Sequence, residues 1–472
     1  MSLSRYISIG SALLAAIVLT RLLDEDVYGA YRKMWLIYAV IGASFVNCIA
    51  NTLFYRGKSG DKSAAIGANL LLGLSFGLIT ASLAFFFAPF WADQLNVPDL
   101  ADGFRMFAPY MAFAVFAGIA EPMFVVLERK KWLLAYAASY NSVEICLIVI
   151  PFALGWPIQD VLLIMAIGPM LRSLVIVAIA FRNAGPFSLK SIRAELPVSI
   201  NYGVGILAMS FVGIATVEAD KWIVSIFFES DALFAIYAVG AKKIPFITAL
   251  TAAAAAALVT QYAGKMNQGD FSGFLTEARK ASSRISLIVI PLIAVLFVFA
   301  EEVMVLLFEK YADSAPIFRI YLLVIVTQLV FPQSILLGAG KSHVVARYGI
   351  IELVTNVGLS ILLIAPFGLL GPAYATLAGH ILIVILLSLH AAKAFGISPT
   401  EILPDGRIRP IIWGLPVVAV VSGLLKYSAG LSLSGLIIAG AFSGVIILAM
   451  LRIQGFHKDQ PGPEKENAED EG

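Results

Sequence analysis

The run "AIYAVGAKKIPFITALTAAAAAALV", residues 235–259, decides the fold. It is long enough to cross about 30 Å of hydrocarbon as a helix, yet it holds two adjacent lysines, Lys242 and Lys243. A lysine at a bilayer centre costs about 2.5–3.5 kcal/mol on insertion scales. Either the run is not in a membrane, or the lysines act within it. Composition separates the two. Of 472 residues, 60% are hydrophobic and only 14% charged, with mean hydropathy +0.89. Soluble chains carry about 25% charged and 45–50% apolar residues. Apolar blocks of about 17–24 residues recur along the chain between short polar breaks, each long enough to span a bilayer.

About fourteen such blocks are counted, the second near 31–50, the eighth near 232–258, and the last two near 411–425 and 431–451. The expected fold is an all-α polytopic membrane protein of about fourteen transmembrane helices. The net charge of +2 gives no basic character suited to nucleic acid. Cys48 and Cys146 both fall in apolar blocks and read as free core thiols, with no disulfide framework and no metal cluster. Arg5 before an apolar run resembles a signal peptide, but another span follows directly, so the run reads as a retained first helix.

Lys and Arg mark the cytoplasmic side of short loops. With the N-terminus inside, alternate breaks collect most of the 33 basic residues, among them Arg56, Arg129, Lys130, Arg182, Arg193, Arg279 and Lys341. The opposite breaks collect acids, including Asp24, Glu25, Asp26, Asp99, Glu229 and Asp231. Both termini are therefore expected in the cytoplasm. The segment 456–472, polar and acidic at its end, cannot bury a core and reads as a disordered tail.

An internal repeat links "DEDVYGAYRK" (24–33) with "ESDALFAIYA" (229–238). Acids precede an apolar-aromatic-small-x-Tyr pattern in each. The copies enter the second and eighth blocks, six apart. That offset predicts two six-helix lobes, 1–190 and 191–400, related by a pseudo-two-fold along the membrane normal, with two further helices in 401–455.

Several ionisable residues fall at membrane depth: Arg32, Lys33, Glu121, Glu144, Arg172, Lys242, Lys243 and Glu352. Snorkelling or structural pairing is the alternative to function for each. Adjacent residues point about 100° apart on a helix, so Lys242 and Lys243 cannot share one narrow seam. Together the deep charges are net cationic, which suits an anionic cargo such as a phosphate or pyrophosphate headgroup. Gly240 and Pro245 flank the lysines, leaving a hinge and a tolerated kink as open readings. "LLGAGKSH" (336–343) ends like a phosphate-binding loop, but Ile335 stands where that motif needs glycine, and no strand precedes it. No catalytic constellation is present.

Three stretches carry a resemblance. "LLAAIVLTRLLDEDVYGAY" (13–31) resembles the first-helix segment of bacterial polysaccharide and O-antigen exporters, with Thr20-Arg21-Leu22-Leu23 running to Tyr28-Gly29. "EADKWIVSIFFESDALFAIYAVGAKK" (218–243) looks like their seventh-to-eighth helix segment. Gly340-Lys341, Asn356 and the closing Gly368, Gly371, Ala373, Ala375 and Thr376 resemble their second-lobe pattern. The family belongs to the multidrug/oligosaccharidyl-lipid/polysaccharide exporter (MATE-like) superfamily. The resemblance implies alternating access and a cargo of oligosaccharide on an undecaprenyl-pyrophosphate-type lipid, flipped to the outer leaflet of a bacterial inner membrane. It also implies pathway partners such as a polysaccharide polymerase, and no enzyme activity or cofactor. Arg21 and Arg32 sit where arginines line the anion cavity of relatives, and the last two helices stand where a lipid-tail groove forms in related lipid II flippases. The Lys-Lys pair departs from a single basic residue in many relatives. The substrate-binding candidates are Arg21, Arg32, Lys33, Arg172, Lys242 and Lys243, and the ion-coupling candidates Glu121 and Glu144. The rival readings are a small-molecule or drug antiporter of the same superfamily, a membrane glycan-transferring enzyme, and a non-transporting scaffold.

Overall fold

The structure, a computed structural model, describes residues 2–404 apart from Gly60, Lys243 and residues 267–269. The expected helices near 411–425 and 431–451 and the tail 456–472 lie outside the described residues. Within them the chain is helical and contains no strand. Among the described residues nine helices are long and apolar enough to cross a membrane, or ten if the bent pair around residue 330 forms one span. The protein is a multi-pass helical membrane protein.

The helices are α1 (Ser2–Leu22), α2 (Glu25–Lys58), α3 (Lys62–Phe86), α4 (Pro98–Val126), α5 (Lys130–Ala153), α6 (Ile158–Asn183) and α7 (Leu189–Phe227). They continue with α8 (Asp231–Gly240), α9 (Pro245–Met266), α10 (Phe271–Val298), α11 (Ala315–Thr327), α12 (Pro332–Gly338), α13 (Ser342–Phe367) and α14 (Gly371–Phe395). Short polar residues set their ends. The Asp61 carboxylate accepts the Ser63 and Ala64 amides at the start of α3, and the Ser230 hydroxyl accepts the Leu233 amide at the start of α8. Gly396 ends α14 at φ +67°, a left-handed closure that glycine adopts without strain. A π-helical turn at Tyr38–Gly42 interrupts α2.

The eighth apolar block is two helices, not one. Chain from Ala241 to Ile244 is non-helical where it is described, and Pro245 starts α9. Pro245 has no N–H to give, its ring collides with the carbonyl four residues back, and it disfavours helical geometry at Ile244. Lys242 therefore sits in a break rather than on a helix face. Proline acts similarly at Pro332, where α11 and α12 meet at a bend of 43°.

α1 to α6 pack among themselves and α8 to α14 among themselves, while α7 packs on α2 and α3 in the first bundle and on α8, α13 and α14 in the second. At the end that holds Asp24 and Ser230 the bundles touch through α2 and α8. The approach is close enough to need glycine: a Cβ on Gly29 would fall 1.9 Å from the Asp231 carbonyl oxygen. Here Asp26 accepts the Ala232 amide at 3.1 Å, and Asn96 donates to the Ser225 carbonyl at 2.8 Å. The segments that meet are the two copies of the internal repeat.

Leu71, Leu74 and Leu78 are exposed at spacings of three and four along α3, a lipid-facing stripe. Exposure on α5 corrects one expectation. Cys48 is buried and donates to the Gly203 carbonyl at 3.3 Å, but Cys146 is exposed on α5 rather than being a core thiol. Lipid tails are as apolar as a protein core, so an apolar block does not separate the two faces.

Candidate functional site

α1, α2, α4 and α5 enclose a cavity of about 250 Å³, lined by Tyr28, Tyr31, Arg32, Trp35, Tyr110 and Glu144 among others. Tyr28, Tyr31, Trp35 and Tyr38 recur every three or four residues on α2, so they form one aromatic stripe. The rings lock edge to face, with Trp35 5.2 Å from both Phe107 and Tyr110. The Tyr110 hydroxyl donates to Glu144 at 2.5 Å. Arg32 enters the same space, and its Nε is buried with no hydrogen-bond partner among the described residues.

Lys242 approaches from the second bundle. Its Nζ donates to the Tyr28 hydroxyl at 3.4 Å and lies 6.0 Å from the centre of the Phe308 ring. Tyr28 also lines the Arg32 cavity, so Lys242 touches one of its wall residues. The charges of Arg32, Lys221 and Glu218 act on Lys242. Lys221 is itself paired, 3.2 Å from Glu218 and 3.4 Å from Asp220, and Asp220 also accepts the Tyr237 hydroxyl at 2.8 Å. The α7 acids thus neutralise Lys221 more directly than Lys242.

Other sequence-predicted residues lie elsewhere. Lys33, next to Arg32 and about 100° around the helix, is fully buried and forms an ion pair with Asp231 of α8 at 2.7 Å. It lies 5.7 Å from the Phe234 ring. Arg21, at the end of α1, donates to the Leu306 carbonyl at 2.6 Å and does not line the cavity. Arg172 stacks on Tyr140 and Tyr136, 4.0 and 5.3 Å from their ring centres, and donates to the Tyr136 hydroxyl. It opens on a separate groove of about 370 Å³ between α5 and α6. Glu121 sits half-buried in the last turns of α4, away from the cavity. Lys243 lies outside the described residues. Among the described residues no three His, Cys, Asp or Glu side chains are grouped to hold a metal.

Tyr110 and the tyrosines that hold Arg172 went unflagged in the sequence, and Tyr28 was singled out only within the repeat and the resemblance. The signal available was the aromatic spacing on α2 and the Tyr136/Tyr140 pair at i,i+4 on α5. Asp231 was visible only as an acid of the loop before α8, because its partner is 198 positions away.

The profile of the family described as polysaccharide biosynthesis protein matches residues 18–316. No curated protein matches the chain. Among solved structures, the chain is similar to the lipid II flippase MurJ in an inward closed conformation, with TM-score 0.70 at 14% identity over 97% of this chain and 98% of that one. An inward-facing multidrug resistance MATE family transporter of the MOP superfamily matches with TM-score 0.63 at 16% identity, over 82% of this chain and 94% of the other. A MOP superfamily transporter from Pyrococcus furiosus matches with TM-score 0.57 at 15% identity, over 84% and 94%. At these identities the likeness establishes the fold, that of the MOP superfamily transporters.

Proposed function

Since the chain belongs to the polysaccharide biosynthesis protein family, we propose that it flips a polyprenyl-pyrophosphate-linked oligosaccharide across a bacterial cytoplasmic membrane by alternating access. In this reading the two lobes are 1–190 and 191–400, the Lys-rich breaks and both termini face the cytoplasm, and the Asp24 end is the outer end. The observation that carries it is that Arg32 and Tyr28 line one cavity of the first bundle while the Tyr28 hydroxyl accepts from Lys242 of the second. A guanidinium and an ammonium in a low-dielectric space bind the oxygens of a pyrophosphate through charge-assisted hydrogen bonds. A basic group in a broken helix between two bundles also has the form of a transporter substrate site. Glu144, hydrogen-bonded in the same cavity, is positioned to exchange a proton or cation as the headgroup comes and goes.

The test replaces Arg32 and Lys242 with alanine, singly and together, in the full-length protein. The reading expects lipid-linked oligosaccharide to accumulate and surface polymer to fall at unchanged protein level. Normal polymer from the double variant refutes it. One observation favours a second reading, an antiporter of small organic cations: Glu144 stands among Tyr28, Tyr31, Trp35 and Tyr110, a setting that also suits a cation. Drug susceptibility of a deletion strain separates the two.

A further inference from the structure

The second bundle contains a larger cavity that the phosphate site does not use. It measures about 520 Å³ and lies among α7, α9, α11, α12, α13 and α14, within the size range of small-molecule sites. Sequence creates the space. Ala252, Ala255 and Ala256, from the alanine run of α9, share one helix face by their spacing and line the cavity with nothing beyond Cβ. Its polar lining is mostly neutral. The side-chain amides of Gln328 and Gln333, at the α11–α12 bend, make no hydrogen bond to any described residue. Thr248 and Thr251 present hydroxyls whose donors go to their own helix, at 3.0 and 3.1 Å, leaving lone pairs toward the cavity. The one ionisable pair is Glu352 with His380, 3.2 Å apart.

Two amides, four hydroxyls (Thr248, Thr251, Thr327 and Ser334) and one carboxylate–imidazole pair form a set of donors and acceptors without a net cation. Such a set suits a hydroxyl-rich, uncharged ligand and not a pyrophosphate. Chain length bounds its distance from Lys242. Lys242 lies three residues before Pro245, so Thr248 is roughly 9 Å and Ala255 roughly 20 Å further along if helical rise is taken throughout. Resting on the function proposed above, we infer that this cavity is the glycan subsite: it takes the first few sugar residues of the cargo while Arg32 and Lys242 hold the phosphates. Gln328 and Gln333 then act as specificity residues that read sugar hydroxyls.

The experiment uses purified full-length protein and two probes: undecaprenyl pyrophosphate, and the lipid-linked oligosaccharide extracted from a host strain unable to polymerise it. Wild type is expected to bind the glycosylated probe more tightly. The double variant Gln328→Leu, Gln333→Leu loses about tenfold or more of that affinity, each amide contributing a hydrogen bond or two, while its affinity for bare undecaprenyl pyrophosphate stays within about twofold. Ala255→Leu, which fills the cavity without touching a polar group, gives the same split and guards against a misfolded double variant. Equal loss for both probes, or no loss for either, overturns the inference. If the bare probe binds but the sugars add no affinity in wild type, the inference alone falls. If the bare probe fails to bind wild type and Arg32→Ala changes nothing, the functional reading falls first.

Discussion

Replacing Asp231 with asparagine removes the anionic partner of Lys33 and leaves an ammonium buried where α2 meets α8. Removing one partner of a fully buried pair costs about 3–5 kcal/mol. Lys33 is completely buried, but Asp231 keeps 23% of its side chain exposed, which places the effect near the lower bound, about 3 kcal/mol. The pair spans the two bundles and exists only while their Asp24 ends are together. The loss therefore falls on that conformation and shifts the balance toward its alternative by about a hundredfold. The assay is the reactivity of a cysteine placed at Tyr311, which is fully buried at this end, toward a membrane-impermeant maleimide applied from outside. Asp231→Asn should raise the labelling rate by one to two orders of magnitude, and the exchange Lys33→Asp with Asp231→Lys should return most of the protection. Unchanged labelling in Asp231→Asn, or an exchange variant as reactive as the single one, refutes the assignment of this pair as a lock between bundles.

Three further outcomes follow from the same contacts. Gly29→Leu drives a side chain into the Asp231 backbone, whose carbonyl would sit 1.9 Å from the new Cβ; it should open the same end and lower the thermal midpoint in detergent, since overpacking costs about 1–3 kcal/mol. Arg172→Ala removes two ring contacts and the bond to Tyr136, so it should destabilise the protein by about 1–2 kcal/mol while affinity for undecaprenyl pyrophosphate stays within about twofold of wild type; melting and binding measured on the same sample check this. Cys146→Leu, at an exposed position on α5, should leave the thermal midpoint nearly unchanged, whereas Cys48→Leu, at a position buried against Gly203, should lower it, since overpacking costs about 1–3 kcal/mol; equal shifts would show that α5 does not present Cys146 outward.

How far the sequence reaches depends on the kind of force. Spans were legible because hydrocarbon demands long apolar helices, whereas the contact between α2 and α8 was not, since the likeness of 24–33 to 229–238 says nothing of where the two segments pack. Depth, by contrast, is read along a helix, whereas role is set by the direction a side chain takes around it. Arg32 and Lys33 are neighbours with the same depth and charge, and the turn of about 100° between them sends one into a cavity and the other against Asp231. Arg172 looks equivalent to Arg32 in sequence, yet its tyrosine partners are on α5 and belong to a different groove. The break at Lys242 was half legible. Gly240 and Pro245 announced a weak point, but whether the helix kinks or stops there depends on what the freed groups find across the bundle.

The deep cations differ in what offsets them, and that difference locates the site. Lys33 has Asp231 at 2.7 Å, and Lys221 has two acids within 3.4 Å. Arg172 has two aromatic faces and a phenol oxygen. Arg32 retains a buried, unpartnered Nε among the described residues, and Lys242 has one long bond to a neutral phenol, with the cations Arg32 and Lys221 and the acid Glu218 acting on it from further off. A cation held in low dielectric without a close counter-charge raises the energy of the empty site. An anion that binds both groups relieves that penalty, so affinity at this point exceeds what the same two side chains would give at a surface. Neutralising either cation is then expected to stabilise the empty protein while weakening it toward pyrophosphate. Neutralising Lys33 should do neither, because its charge is already offset.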